Sequence, residues 1–261
     1  MFIAIDIGNT NITVGVRNND SWQEYRISSE EDQTLAYYTQ QLAIIAENID
    51  KDKIEGVGVS SVVPHLTDVI LDATKIELHQ EPLLFQKKWY HLLPIQTANP
   101  EEIGTDLLAN ALAGYLKNQG PCLIVDFGTA LTYTLVDPNA HLGGVAIAPG
   151  IRTSMESLSG NAAQLPEIPL ELPEKPLGTN TVEAMNSGIL WGFVGQVTFM
   201  IDKIKSSVDY DITTIATGGL SEVLKPLEDK FDIIDRNLTI QGIYEFFKLV
   251  QADQNVNHED S

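Results

Sequence analysis

A single cysteine, Cys122, excludes an internal disulfide framework and a cysteine-built zinc site. It opens the apolar run "CLIV", where a packed thiol is expected. Basic residues are scarce: 16 Lys and Arg against 36 Asp and Glu leave a formal charge of −20, which opposes nonspecific binding to nucleic acid or anionic lipid. Neither nucleic acid nor membrane is therefore expected as a partner, and a small-molecule substrate is. No G-x-x-x-x-G-K-[ST] occurs, so a P-loop is excluded. No apolar run approaches the roughly 20 residues of a membrane span. Met1 and Phe2 lead straight into a strand pattern without the basic n-region of a signal peptide, and a cytoplasmic location is expected. His65, His79, His91, His141 and His258 lack metal-ligand spacing and read as structural or solvated.

What the chain does have is 43% apolar content over 261 residues, enough for one large domain or two compact halves. Its opening, "FIAIDIGNTNITVGV" from Phe2, aligns without a gap on "CLIVDFGTALTYTLV" from Cys122, placing Asp6 on Asp126, Gly8 on Gly128, Asn9 on Thr129 and Val16 on Val136. Each reads as strand, tight turn, strand. Two α/β halves with the same opening hairpin are expected. Between them, residues 32 to 48 have helical spacing and 54 to 64 read as a buried strand stopped by Pro64. In the second half, 181 to 205 form a long amphipathic pattern opening at Asn180 or Thr181, and 212 to 220 read as a strand entering a Gly-Gly turn. The Pro- and Glu-rich stretch from 165 to 178 reads as a surface loop, and 251 to 261 as a polar, disordered tail.

The paired turns carry the chemistry. "DIGNTN" supplies Gly8 for close backbone approach, donors from Asn9, Thr10 and Asn11, and a carboxylate at Asp6 able to hold Mg²⁺ or its waters. "DFGTALT", with Asp126, Gly128 and Thr129, offers the same from the other side. Two such turns across a cleft would clamp a nucleoside triphosphate, and Gly218 and Gly219 of "ATGGL" would admit the adenosine. Asp106, in "IGTDLLAN", begins an apolar helical run, and on spacing alone a helix cap is the ordinary reading. Trp191 reads as core or dimer packing, Glu183 as a first-turn helix charge and Arg152 as exposed.

"DIGNTN", "VSSVVP", "NPEEIGTD", "DFGTALT", "GGVAIAPG", "NTVEAMNSG" and "ATGGL" stand in the order and spacing of the type III pantothenate kinases, which the chain resembles from about Met1 to Phe247. The resemblance implies an α/β fold of two ribonuclease H-like halves, 1–116 and 117–250, in a duplicated actin-like ATPase fold with an interdomain nucleotide cleft. It also implies phosphorylation of pantothenate by ATP, the first step of coenzyme A biosynthesis, by a homodimer that needs Mg²⁺ and a monovalent cation, K⁺ or NH₄⁺. Carried across, Asp6 sits by the metal and phosphates, Asn9, Thr10 and Thr129 hold phosphates, and Asp126 helps bind the monovalent cation. Asp106 becomes the general base, flanked by Gly104, Thr105 and Leu107 in the acceptor site, and Thr181 reaches pantothenate. Two positions depart from the family pattern: Leu107 stands where it has Arg, and Thr97 where it has Tyr. A weaker hold on pantothenate is the expected consequence. A non-catalytic nucleotide-binding regulator on the same scaffold, or a kinase for a related hydroxyl compound, is the alternative.

Overall fold

The computed structural model describes residues 1–30, 34–161, 169–219 and 225–259. Contacts divide the chain into two compact units, Met1–Leu116 together with the segment from Asn237 onward, and Lys117–Arg236. The last helix therefore belongs with the first unit, not with a second half running to residue 250.

In the first unit, β1 (Phe2–Ile7), β2 (Asn11–Asn18) and β3 (Ser21–Ser28) form an antiparallel meander. Strands β4 (Gly56–Ser61) and β5 (Leu83–Leu84) extend the sheet in parallel beyond β1, giving the order β3-β2-β1-β4-β5. Central β1 is buried on both faces, hence its nearly unbroken apolar run. Alternation sends Ile3, Ile5 and Ile7 to the core shared with Tyr38 and Leu42 of α1 (Leu35–Ala46) and Leu66 and Ile70 of α2 (Pro64–Leu78). Strand β4 ends at Ser61, before Pro64, which starts α2 where its missing N–H costs nothing. On the opposite face, Phe2 packs on Tyr244 and Phe247 of α7 (Leu238–Glu259). Glycine makes that approach possible: a Cβ on Gly15 or Gly56 would lie 2.5 Å from Ile240 or 2.2 Å from Phe247. Helix α7 also carries residues 251 to 259, so that stretch is helical and not a disordered tail.

The second unit repeats the plan. Strands β6 (Cys122–Phe127), β7 (Ala130–Val136), β8 (Leu142–Pro149), β9 (Thr213–Gly218) and β10 (Ile233–Ile234) run in the order β10-β9-β6-β7-β8, with β6 central. Leu123, Val125 and Phe127 share a core with Ile151 of α4 (Ile151–Asn161) and with Phe193, Val197 and Ile201 of α6 (Gly192–Lys205). The thiol of Cys122 faces the other way, fully buried, and burial pushes its pKa up to about 12. The 181 to 205 pattern is α5 (Thr181–Asn186), a π-helical turn (Ser187–Trp191) and then α6, capped by Asn180, whose side chain accepts the Glu183 N–H at 3.0 Å. An 18-residue window of this 25-residue stretch reaches a mean hydropathy of 1.2, so on length and composition it could cross a membrane, contrary to the expectation that no apolar run comes near that length. Leu190, Phe193, Val197 and Ile201 are instead buried in the unit's core.

The two opening hairpins differ in one respect. Gly8 N–H donates to the carbonyl of Asn11 (3.0 Å), whereas Gly128 N–H donates to that of Ala130 (3.1 Å), so the second turn is one residue shorter. Beyond the turn the gapless alignment fails. Opposite Asp6 stands Thr13, opposite Asp126 stands Thr132, and the counterpart of Val16 is Leu135 rather than Val136. The Asp32 end of the first helical pattern, residues 165 to 168 of the Pro-rich stretch, Leu220 of "ATGGL" and the last two residues lie outside the described residues.

Candidate active site

Asp6 lies at the end of β1, in register with Thr13 on β2 and Ser60 on β4. Gly8 is half-buried and Asn9, Thr10 and Asn11 are exposed, so the turn presents its donors outward from the strand end. Ser60 is fully buried, and its Oγ lies 2.9 Å from Thr105 Oγ1. That threonine also accepts the Ser61 N–H (3.2 Å) and donates to the Ser61 carbonyl (3.1 Å). Its one donor and two acceptor sites are thus used, and they pin the start of α3 (Thr105–Asn118) to the end of β4, the neighbour of β1.

Asp106 is the second residue of α3, and the Leu108 N–H bonds the Gly104 carbonyl, so Gly104 occupies the cap position. The aspartate therefore does not cap by position. Its Oδ1 accepts the Leu107 N–H at 2.8 Å and satisfies one of the helix's unpaired donors. Burial raises the pKa of the Asp106 carboxyl above 3.8, against the lowering effect of the Leu107 N–H and its own N–H. A carboxylate that is partly desolvated is a stronger base than one in water. Gly104 has to be glycine for this arrangement, since a Cβ there would lie 2.4 Å from Asp106 Oδ1. Leu107 is only 9% exposed, and its N–H is already engaged by Asp106. Thr97 is half-buried in the connection leading to α3.

The second unit carries the matching arrangement. Asp126 ends β6 in register with Thr132 on β7 and Thr217 on β9, so three oxygen-bearing side chains share one face. The hydroxyls of Thr132 and Thr217 are buried and, among the described residues, have no hydrogen-bond partner. Gly218, at φ 89°, closes the group, and a Cβ there would lie 2.6 Å from Asp126 Oδ1. Gly128 and Thr129 are exposed in the turn, whose Thr129 carbonyl accepts the Gly150 N–H (2.9 Å) and the Thr153 hydroxyl (2.8 Å). Gly150 fits so closely that a Cβ would meet the Gly128 and Thr129 carbonyl oxygens at 2.3 and 2.4 Å. Gly150→Ala is expected to cost about 1–3 kcal/mol, because backbone cannot swing aside as a side chain can. A fall in the denaturation midpoint checks this.

Gly219 is exposed just past β9. Thr181 is exposed as the first residue of α5, within the second unit. Glu183 accepts from the Thr179 N–H and hydroxyl at 2.8 and 2.9 Å, bonds that hold its carboxyl below the usual range, so it is occupied as a helix-start charge. Trp191 Nε1 donates to the Pro173 carbonyl (3.1 Å) and tethers the Pro-rich segment. Thr13, Ser60, Thr132 and Thr217 escaped the sequence reading. Each is ordinary strand composition, and only the pairing register sets it beside an aspartate.

Paired five-stranded sheets of identical order, each ending its central strand in an aspartate beside a glycine turn, define the duplicated ribonuclease H-like fold of the actin-like ATPases. Solved structures agree at the level of fold. A Campylobacter jejuni protein described as a Baf family transcriptional activator superposes with a TM-score of 0.58 at 18% identity, covering 97% of this chain and 99% of its own. The activator of 2-hydroxyisocaproyl-CoA dehydratase from Clostridium difficile, with bound ADPNP, gives 0.51 at 12% identity and 97% coverage of both. The model of the type III pantothenate kinase family matches residues 2–203. The type III pantothenate kinase of Moorella thermoacetica is 35% identical over 246 residues, 93% of this chain and 97% of that protein. That of an Exiguobacterium species is 36% identical, covering 93% and 96%. The chain belongs to the type III pantothenate kinase family.

Proposed function

We propose a division of labour between the two units for this family's reaction, transfer of the γ-phosphoryl group of ATP to the hydroxyl of pantothenate in coenzyme A biosynthesis. The observation that carries it is the pair of matched strand-end sites, Asp6 with the turn at Gly8, and Asp126 with the turn at Gly128. Asn9, Thr10, Asn11 and Thr129 donate to phosphate oxygens, and Gly218 and Gly219 admit the adenosine. Asp106 orients the acceptor hydroxyl and takes its proton, while Gly104 and Thr105 line the acceptor's path and Thr181 reaches it, from the partner subunit in a homodimer. Positioning and electrostatics do the work, with no covalent intermediate on the protein.

The residues fit the cations as well. Asp126 with the buried Thr132 and Thr217 hydroxyls is an all-oxygen donor set suited to K⁺ or NH₄⁺, and Asp6 would hold Mg²⁺ directly or through water. When bound, both offset the negative charge of the triphosphate. Ile147 and Phe199, 68% and 66% exposed in the second unit, are large apolar side chains that a second copy would cover. The cytoplasm is the compartment that suits this substrate pair. One assay tests the reading: ADP release with and without pantothenate, in K⁺ and then Na⁺ at constant ionic strength. Activity is expected to need pantothenate and to fall sharply in Na⁺. Equal rates in the two salts would remove Asp126 from the cation role.

A further inference from the structure

The first unit contains a pocket of about 620 Å³ lined in part by Gly104 and Thr105, at the start of α3 and next to Asp106 in the chain. A 3₁₀ segment, Lys87–Leu92, contributes Lys87, Lys88 and Tyr90 to the same lining. The floor is rigid. Phe85 is buried, stacks on Phe246 at 3.7 Å between ring centres and meets Tyr90 edge-on at 5.7 Å. In a chain of net charge −20, two consecutive lysines line a pocket that also reaches a helix N-terminus, and they offset the nearby carboxylates of Glu101 and Glu102. They are not equivalent. Lys87 is committed to Glu101, whose carboxylate it pairs with and whose carbonyl it bonds at 3.2 Å. Lys88 is exposed, forms no ion pair among the described residues, and its ammonium lies 5.1 Å from the Trp89 ring centre.

We propose that this pocket receives the carboxylate end of the acceptor and that Lys88 supplies the cationic contact that an arginine at position 107 would otherwise provide. The inference rests on the pantothenate reading above. Pantothenate carries the hydroxyl to be phosphorylated at one end and its carboxylate at the other. With the hydroxyl at Asp106, the rest of the molecule extends past Gly104 and along the pocket towards the 3₁₀ segment. An anionic acceptor needs a cation there, since Glu102 lines the same pocket and the whole chain repels it. Leu107 cannot supply one and does not line the pocket. Tyr90 provides there the aromatic wall that Thr97 does not. Lys88 is thus a specificity residue, reading the charge of the acceptor rather than its hydroxyl.

The test compares pantothenate with pantothenyl alcohol, in which the carboxylate is replaced by a hydroxymethyl group. Lys88→Met keeps the apolar stem and removes the charge. It is expected to raise the pantothenate KM about tenfold, the loss of one charge-assisted contact. The KM values for the alcohol and for ATP should hold, and Lys88→Arg should restore pantothenate binding. An unchanged pantothenate KM in Lys88→Met, or an equal rise for the alcohol, overturns the assignment. Those outcomes leave the kinase reading standing. If the unsubstituted protein turned over neither acceptor, the acceptor reading itself would fall and Lys88's role with it.

Discussion

Asp106→Asn is expected to lower turnover by about 10²–10⁴-fold, the usual contribution of a general base, while raising the melting temperature at neutral pH. The second half of that expectation follows from the direction of its pKa. Burial holds the folded-state value above 3.8, so the folded protein binds this proton more tightly than the unfolded chain does. Ionisation therefore opposes folding. The penalty is absent below the unfolded value, builds as pH rises through the folded pKa and is constant above it. Asparagine carries no charge to desolvate and can still accept the Leu107 N–H, so the helix start keeps its bond. Melting curves at pH 7 and near pH 3, below the unfolded value, should show the variant's advantage at the first and its disappearance at the second. A variant that turns over normally, or that melts earlier at both pH values, would make Asp106 a structural residue.

Gly104→Ala should lose activity for a different reason. The added Cβ meets the Asp106 carboxylate and not backbone, and a side-chain end can rotate away at little cost. The helix therefore stays and the base moves. A displacement on the order of 1 Å at a reacting group can cost about 10²-fold, and kcat is expected to fall by that much with the melting temperature nearly unchanged. ATP affinity should hold, because the nucleotide turns are elsewhere in the chain. A large drop in melting temperature would show instead that α3 has shifted as a body, and a wild-type kcat would show that the carboxylate's present position is not the working one.

The paired hairpins, their Asp-x-Gly turns and the duplicated α/β plan were legible because each rests on a local pattern, an apolar run ending in a turn signal. Asp106 was legible as a residue of interest but not as what it is locally. Gly-Thr-Asp suggests a cap at any of its three positions, and only the bond from Leu108 to Gly104 decides between them. The shortened second turn was hidden because the Asp-x-Gly match fixes the alignment before the turn, although beyond it a one-residue shift is what sets Ile12, Thr13 and Val14 on Leu131, Thr132 and Tyr133 with their alternation in phase. Helix α7 shows the wider limit. Its amphipathic spacing says that one face is buried but not against which sheet. The glycines that receive it, Gly15 and Gly56, sit over two hundred positions upstream of Ile240 and almost two hundred upstream of Phe247 and look like ordinary weak points in two strands. Residues 251 to 259 read as a tail from polarity alone, yet they contain neither glycine nor proline to stop the helix. The pocket with Lys88 was out of reach, because "QKKWYHL" carries no periodicity and its role depends on where the 3₁₀ segment is set down.

The return of α7 to the first unit has a consequence for synthesis on the ribosome. The second unit is one continuous stretch and can complete itself as soon as Arg236 has left the exit tunnel. The first unit emerges earlier but must wait, with the face of β1, β2 and β4 that receives Ile240, Ile243 and Phe247 still bare, until the later segment has been translated. Closure requires contacts across more than two hundred residues of chain, the kind of long-range pairing that slows folding. In that interval the exposed face, paved with glycine and with Phe2 at its edge, is a surface that chaperones would recognise, so the unit that is begun earlier is finished later.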